Sequence, residues 1–320
     1  MHGIDRRIKP MLTPANVHLS GEVEEAIATR EPVVALESSI ITHGLPHPAN
    51  AETALRIERL VRDSGAIPAT IALIEGKLRA GLSQDEIGKL AASRTALKAS
   101  TRDLASLMVA GMTAGTTVAA TMFIAAKANI KLFATGGIGG VHRDAEKTFD
   151  ISADLAELAR TPVAVVSAGA KSILDIGRTI ELLETLGVPV IGYRTREFPA
   201  FFSRKSGRGI DHSFESIDEV AQVICQHWAI GSGGGLLIAN PVPEMHALDG
   251  EAIEAAIEQA LKDGTQDGIS QKDVTPYLLA RIVEITGGKS VRTNIELISH
   301  NAQVAAHIAV AYEKLMRSKR

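Results

Sequence analysis

The sequence predicts an α/β fold: a mostly parallel, mixed central sheet covered by helices on both faces, followed by a helical C-terminal portion. Three observations predict it. Short apolar runs alternate with segments whose apolar residues recur at helical spacing, the order that yields parallel strands joined by crossover helices. The runs end in Gly, Pro or small residues, which mark where strands leave the sheet. Hydrophobic residues make up 45% of the 320 residues and charged ones 22%, enough to close a sizeable core. No long linker and no repeat of fixed period interrupts the pattern. Residues 1–320 are therefore expected to form a single α/β catalytic domain, with 1–15 a loosely ordered N-terminal segment.

Pro32–Ile41 is almost continuously apolar, as a strand buried on both faces reads, and it carries Glu37 and two serines. Thr42–Pro48 is a loop dictated by Gly44, Pro46 and Pro48. Ala49–Ser64 sets Ala54, Ile57, Leu60 and Val61 at helical spacing. Ile67–Ile74 is the next strand, and Ser83 with Glu86 frames a helix start as a capping box. Thr113–Asn129 reads as a helix, and Lys131–Thr135 as a strand that breaks into the Gly136–Gly140 glycine run. Asp150 or Ser152 caps a helix through Leu158. Pro162–Val166 is a strand leaving through Ser167–Lys171, and a helix runs from Ser172 to Leu186. Pro189–Tyr193 is a strand, 203–213 an exposed loop, Ile217–Ile230 a helix, and Leu236–Ala239 a strand turned by Asn240–Pro243. Helices over 251–263, 274–285 and 294–317 complete the chain.

Charge excludes some function classes. Lys and Arg number 34 against 37 Asp and Glu, and aromatics are 3%, so neither the basic excess nor the stacking platforms of a nucleic-acid binder are present. Cys225 is the sole cysteine, which excludes an internal disulfide and a multi-cysteine metal centre. Arg6, Arg7 and Lys9 precede no apolar stretch, and Ala114–Ala126 falls short of the ~20 apolar residues a membrane span needs. A cytoplasmic protein is expected. The glycine run fits no frame of GxGxxG, Val283 stands where a phosphate-binding loop ending at Gly288-Lys289-Ser290 needs glycine, and no HExxH occurs. A metal here would be held by oxygens such as Asp150, Asp154 and water, suiting Mn²⁺ or Mg²⁺ rather than Zn²⁺.

In a parallel sheet, ligands bind at the carboxyl ends of the strands, and the segments leaving them carry the chemistry-bearing residues. Glu37 sits towards the end of an apolar strand. It is either a general acid with a raised pKa or a carboxylate bonded to loop amides or an arginine. Lys171 follows small residues at a strand exit. It is either a nucleophile towards a sugar aldehyde carbon or a lysine exposed at a helix start. Asp150 and Asp154 are four apart and can share one side of a helix start, where capping is the competing role. Gly111–Thr117 presents amides and hydroxyls suited to a phosphate or to a plain cap.

Several long blocks together resemble a known family. VALESSIITHGLP (Val34–Pro46), FATGGIGGVHR (Phe133–Arg143), TFDISADL (Thr148–Leu155), SAGAKSILD (Ser167–Asp175) and ANPVPE (Ala239–Glu244) are similar, in order, to the pseudouridine-5′-phosphate glycosidase or indigoidine synthase A-like family. The resemblance implies a three-layer α/β/α core and a lyase of the carbon–oxygen class. It would cleave pseudouridine 5′-phosphate reversibly, with water, to uracil and ribose 5-phosphate. The resemblance makes Glu37 the proton donor, Lys171 the nucleophile that forms a Schiff base with ribose C1, and Asp150 the ligand of a required Mn²⁺, largely through water. Lys98, Val118, Ser152, Ala153 and Asp154 are implied to contact substrate, and Thr135, His142 and Asn294 fall at active-site positions. A homotrimer is implied, with a pseudouridine kinase as pathway partner. Two readings compete: another Schiff-base aldolase or N-glycosidase of a sugar phosphate, and a catalytically silent sugar-phosphate-binding protein.

Overall fold

Short strands buried on both faces form the spine of the protein, a computed structural model that describes residues 16–269 and 274–318. The expectation for 1–15 lies outside the described residues. In chain order the elements begin with β1 (His18–Leu19), α1 (Gly21–Thr29), β2 (Val33–Leu36), α2 (Ala49–Asp63), β3 (Ile67–Ile74), β4 (Lys77–Ala80) and α3 (Gln84–Ala92). There follow β5 (Leu97–Ala99), α4 (Leu104–Val109), β6 (Ala114–Thr116), α5 (Val118–Lys127), β7 (Leu132–Ala134), β8 (Val141–His142), α6 (Ala145–Thr148) and α7 (Ala153–Arg160). The last third carries β9 (Ala164–Ser167), β10 (Leu174–Asp175), α8 (Ile176–Thr185), β11 (Val190–Tyr193), β12 (His212–Phe214), α9 (Ile217–Ala229), β13 (Leu236–Ala239), α10 (Gly250–Gln266), α11 (Val274–Ile285) and α12 (Lys289–Ser318).

The main sheet has eleven strands, ordered β1-β4-β3-β2-β7-β9-β13-β11-β12, with β6 and then β5 added beside β3. From β3 to β12 every neighbouring pair along that order is parallel; β4 and β6 run antiparallel to β3. The chain passes from β2 outward to β3, then returns to place β7 on the other side of β2. That reversal of strand order opens a crevice at the carboxyl ends of β2 and β7, where open parallel sheets bind ligands. The register brings Leu36 opposite Ala134, so the residues after them, Glu37 and Thr135, leave the sheet side by side.

α12 lies across β2, β7 and β9 between α2 and α9, and its buried Ala302, Ala305, Ala306 and Ala309 let it press close to the strands. α5 and α7 pack on each other over the opposite face, completing the three layers. Among the described residues no helix is long and apolar enough to cross a membrane.

Ile67–Ile74, Leu236–Ala239 and the Ser83 capping box stand as the sequence predicts. Other segments differ. The strand expected over Pro32–Ile41 stops at Leu36, because the Ser38 hydroxyl donates to the Ile71 carbonyl (2.6 Å) and the Ser38 carbonyl accepts the Ile41 and Thr42 amides. Ile40–Gly44 then winds into a π-helical turn. Thr113–Asn129 is not one helix. Ala114–Thr116 is β6, where Gly115 runs so near the π turn that a Cβ would lie 2.2 Å from Thr42 Oγ1, and α5 starts only after the Thr117 cap. The helix expected from Ser172 begins at Ile176, since Leu174 and Asp175 pair with β8 and Asp175 caps α8. The loop 203–213 is anchored by buried Ser203 and ends in β12, which pairs with β11. The sequence reading did not anticipate α1, β4, β5 or α4.

The loop after β9 is held by glycine. Gly169 has φ of +82°, and a Cβ there would lie 2.1 Å from the Pro199 carbonyl oxygen. Gly169→Ala is expected to destabilise the protein by at least about 1–3 kcal/mol, the range for a strained backbone. Urea unfolding checks this, and an unchanged midpoint would refute the constraint.

Candidate active site

Each side chain of the crevice is set by a strand end. Glu37, only 8% exposed, follows β2 directly. A buried carboxylate needs partners, and it has two: Thr135 Oγ1 donates to Oε1 and Ser39 Oγ donates to Oε2. The loops after β7 and β9 then zip together. Ile138 N donates to the Gly169 carbonyl and Lys171 N to the Ile138 carbonyl, both at 3.0 Å, which carries Lys171 to the same crevice. Lys98 arrives from β5, paired opposite Gly115 of β6.

Two connected recesses result, sharing Ser39, Lys98 and Lys171. The inner one adds Glu37, His43, the Gly136–Gly137 backbone, Phe201 and Asn294. The outer one adds Val118, His142, Ser152, Ala153 and Asp154. Glycine is needed at the inner wall, because a Cβ on Gly137 would lie 2.5 Å from the Phe201 ring.

Electrostatics follow from that crowding. Lys98 is exposed as a residue overall, while protein crowds the surroundings of its charged group. Burial pushes its pKa down, the Lys171 charge pushes it further, and the Glu37 and Asp154 carboxylates oppose both. Burial likewise lowers the His142 pKa, against the pull of Asp150 and helped by Lys171 and Lys98. His43 is lowered by burial and then by Lys98. Both imidazoles are therefore biased towards the neutral form near neutral pH.

The two aspartates part company. Asp150 precedes α7, whose cap is Ser152, and does not share a helix face with Asp154. The Asp154 carboxylate accepts the Ala119 amide on Oδ1 (2.9 Å) and the Gly139 amide on Oδ2 (2.7 Å), so it clamps the start of α5 to the glycine run while lining the outer recess. Asp150 lies at the rim. Its side chain is 45% exposed, with Oδ2 3.8 Å from His142 Nδ1, and its carbonyl accepts the His142 amide. Among the described residues no group of three or more His, Cys, Asp or Glu surrounds a point for a metal. The donor set at Asp150, one half-exposed carboxylate open to water, fits a hard divalent ion that keeps most of its hydration shell rather than zinc.

Thr117, which the sequence offers to a phosphate, accepts the Ala120 amide as a cap and also borders the outer recess. His43 and Phe201 are site residues that sequence reasoning missed. One signal existed for Phe201: in a chain with seven phenylalanines, three fall within Phe198–Phe202.

Comparison with known proteins gives a consistent set of relatives. Residues 22–311 match the family of indigoidine synthase A like protein. The chain is 56% identical over 308 residues to pseudouridine-5′-phosphate glycosidase 2 of Rhizobium johnstonii, covering 96% of this chain and 100% of the relative. It is 51% identical over 305 residues to pseudouridine-5′-phosphate glycosidase of Escherichia coli K12, covering 95% and 98%. The prealnumycin C-glycosynthase AlnA in complex with ribulose 5-phosphate superposes with a TM-score of 0.88 at 40% identity, over 95% of this chain and 99% of that one. An indigoidine synthase A-like protein from Thermotoga maritima superposes with a TM-score of 0.86 at 34% identity, over 96% and 100%. The chain belongs to the indigoidine synthase A-like family.

Proposed function

We propose that this chain reversibly breaks the carbon–carbon bond between uracil and ribose in pseudouridine 5′-phosphate, releasing uracil and ribose 5-phosphate. The observation that carries the reading is the convergence of Glu37, Lys98 and Lys171 on one crevice at the strand-order reversal. Relatives above 50% identity bear this activity in their names, and AlnA of the same fold is bound to a pentose phosphate.

A carbon leaving group has no lone pair for an acid to protonate, so the two-carboxylate route of ordinary glycosidases serves poorly. Lys171 gives a proton to Glu37, which passes it to the ribose ring oxygen; the ring opens and the freed lysine amine bonds to C1. Glu37, again a carboxylate, takes a proton from the lysine nitrogen and passes it to uracil C5. The C1–C5 electron pair restores the pyrimidine double bond, the nitrogen lone pair forms a protonated imine, and uracil departs. Water adds to the imine, releasing ribose 5-phosphate and Lys171 as the ammonium that began the cycle. The inner recess, with Phe201 and Asn294, takes the pyrimidine; the outer one, with Lys98, Ser152 and the Ala153 amide, takes the phosphate.

Mn²⁺ at Asp150, when bound, would orient water and polarise substrate oxygens. A homotrimer in the cytoplasm, fed by a pseudouridine kinase, belongs to the same reading. The substrate's phosphoester calls for a kinase upstream.

Incubation with pseudouridine 5′-phosphate should release uracil in the presence of Mn²⁺ and stop after chelation, while uridine 5′-phosphate stays intact; release from uridine 5′-phosphate alone would reject the reading. Borohydride with ribose 5-phosphate should add the reduced sugar mass to Lys171, and Lys171→Ala should lose both adduct and turnover. An active alanine variant would remove the imine. Glu37→Gln should lower kcat by about 100-fold or more at little change in KM, the usual weight of a positioned acid. A loss under about threefold (~0.7 kcal/mol) would strip Glu37 of that role.

Lys98→Met should raise KM by roughly 10- to 150-fold, the ~1.5–3 kcal/mol of a hydrogen bond to a charged group. Burial disfavours the Lys98 ammonium, a penalty present below its lowered pKa and lost as pH climbs to the ordinary lysine value. The variant's Tm at neutral pH should therefore match or exceed that of the parent, and in the parent KM should rise with pH earlier than an ordinary lysine would make it. A lower Tm with unchanged KM would make Lys98 a structural residue.

A further inference from the structure

Behind the crevice runs a chain of buried amides that the proposed reaction does not use. Asn301, fully buried on α12, donates from Nδ2 to the carbonyls of Thr135 (2.8 Å) and Gly136 (3.3 Å). Its Oδ1 accepts Asn240 Nδ2 at 2.8 Å, and the same nitrogen lies 3.1 Å from His300 Nδ1. Only one arrangement of hydrogens satisfies the chain. Two carbonyls can only accept, so Asn301 must turn its NH₂ to them and its oxygen to Asn240. Asn240 must then present its NH₂, and His300 Nδ1 must be the bare nitrogen. His300 complies: burial lowers its pKa, favouring the neutral ring, whose bare Nδ1 can accept the Asn240 amide.

We infer that Asn301 is a positioning residue for the reaction proposed above: held in one orientation by Asn240 and His300, it fixes the Thr135–Gly136 corner and so aims the Thr135 hydroxyl at Glu37. The inference rests on that reading for its kinetic test, but its geometry does not. An asparagine in a helix interior has no local reason to be there, since its amide competes with helical hydrogen bonds. Asn294, seven residues earlier, borders the inner recess, so one helix supplies a wall of the site and the brace behind it.

The test is a double-mutant cycle with Asn301→Ala and Thr135→Val, read with hydrogen exchange. Asn301→Ala should lower kcat by about 30-fold with KM within about threefold, since it takes the side-chain donor from the buried Thr135 carbonyl, leaves the Gly136 carbonyl only the Ala168 amide, and frees the corner. The Lys171 adduct with ribose 5-phosphate should still trap. The double variant should be no slower than Thr135→Val alone, because both act through one hydroxyl. Additive losses would show general loosening and overturn the inference. Amide exchange of Gly136–Ile138 should accelerate about tenfold, while that of Leu236–Ala239 stays unchanged. This readout holds even if the parent proves inactive on pseudouridine 5′-phosphate, so failure of the reaction and failure of the brace are separable. Unchanged exchange in the folded variant would also overturn it. Should Asn301→Ala fail to fold, Asn240→Ala, which removes only the partner that orients Asn301, should give a smaller kcat loss of the same kind, and its absence would count against the brace.

Discussion

The bond from the Thr135 hydroxyl to the Glu37 carboxylate joins the ends of β2 and β7 where strand order reverses, and the rest of the crevice is arranged around it. A carboxylate leaving a fully apolar strand has no water to satisfy it and must find donors in neighbouring loops. Ser39 satisfies the second oxygen, which bends the chain after β2 away from the sheet. Thr135 satisfies the first, which requires the loop after β7 to turn at once. Glycines follow there because space is short: Gly137 passes the Phe201 ring, and a Cβ on Gly139 would meet Ser152 Oγ at 2.2 Å. The glycine run that fits no nucleotide fingerprint is thus explained by close packing.

Charge in the crevice is arranged against the trend of the chain. The molecule carries a formal net charge of −3, yet Lys98 and Lys171 point into one crevice whose imidazoles are pushed towards neutrality and whose Asp154 is already bonded to two amides. The Lys171 charge disfavours the Lys98 ammonium, and a dianion beside them offsets that repulsion, an arrangement suited to a phosphorylated ligand.

Legibility in the sequence followed the range of the forces. Ile67–Ile74 and Leu236–Ala239 were readable because a strand buried on both faces has to be apolar throughout. Glu37 and Lys171 were readable as candidates because a charged residue at an apolar strand end is locally costly. Lys98 had no such mark and lies outside the family blocks, so only the wider resemblance pointed to it; its lowered pKa comes from burial and from Lys171, distant in the chain. The misreadings at Pro32–Ile41 and Thr113–Asn129 share one cause. Ser38, Thr42 and Gly115 meet one another across the sheet, and that contact overrides apolar periodicity in both segments.

Taken alone, the sequence determined the class of sheet and the position of its main strands and marked Glu37, Lys171 and Asp150 as candidates, because burial and helix capping act over a few neighbouring residues. The tertiary structure alone decided which oxygen of Glu37 meets which hydroxyl, that Asp154 clamps backbone while Asp150 stays at the rim, and that Asn301 braces the corner from behind. Those choices depend on loops brought together by strand order, and strand order is set by packing of the whole core.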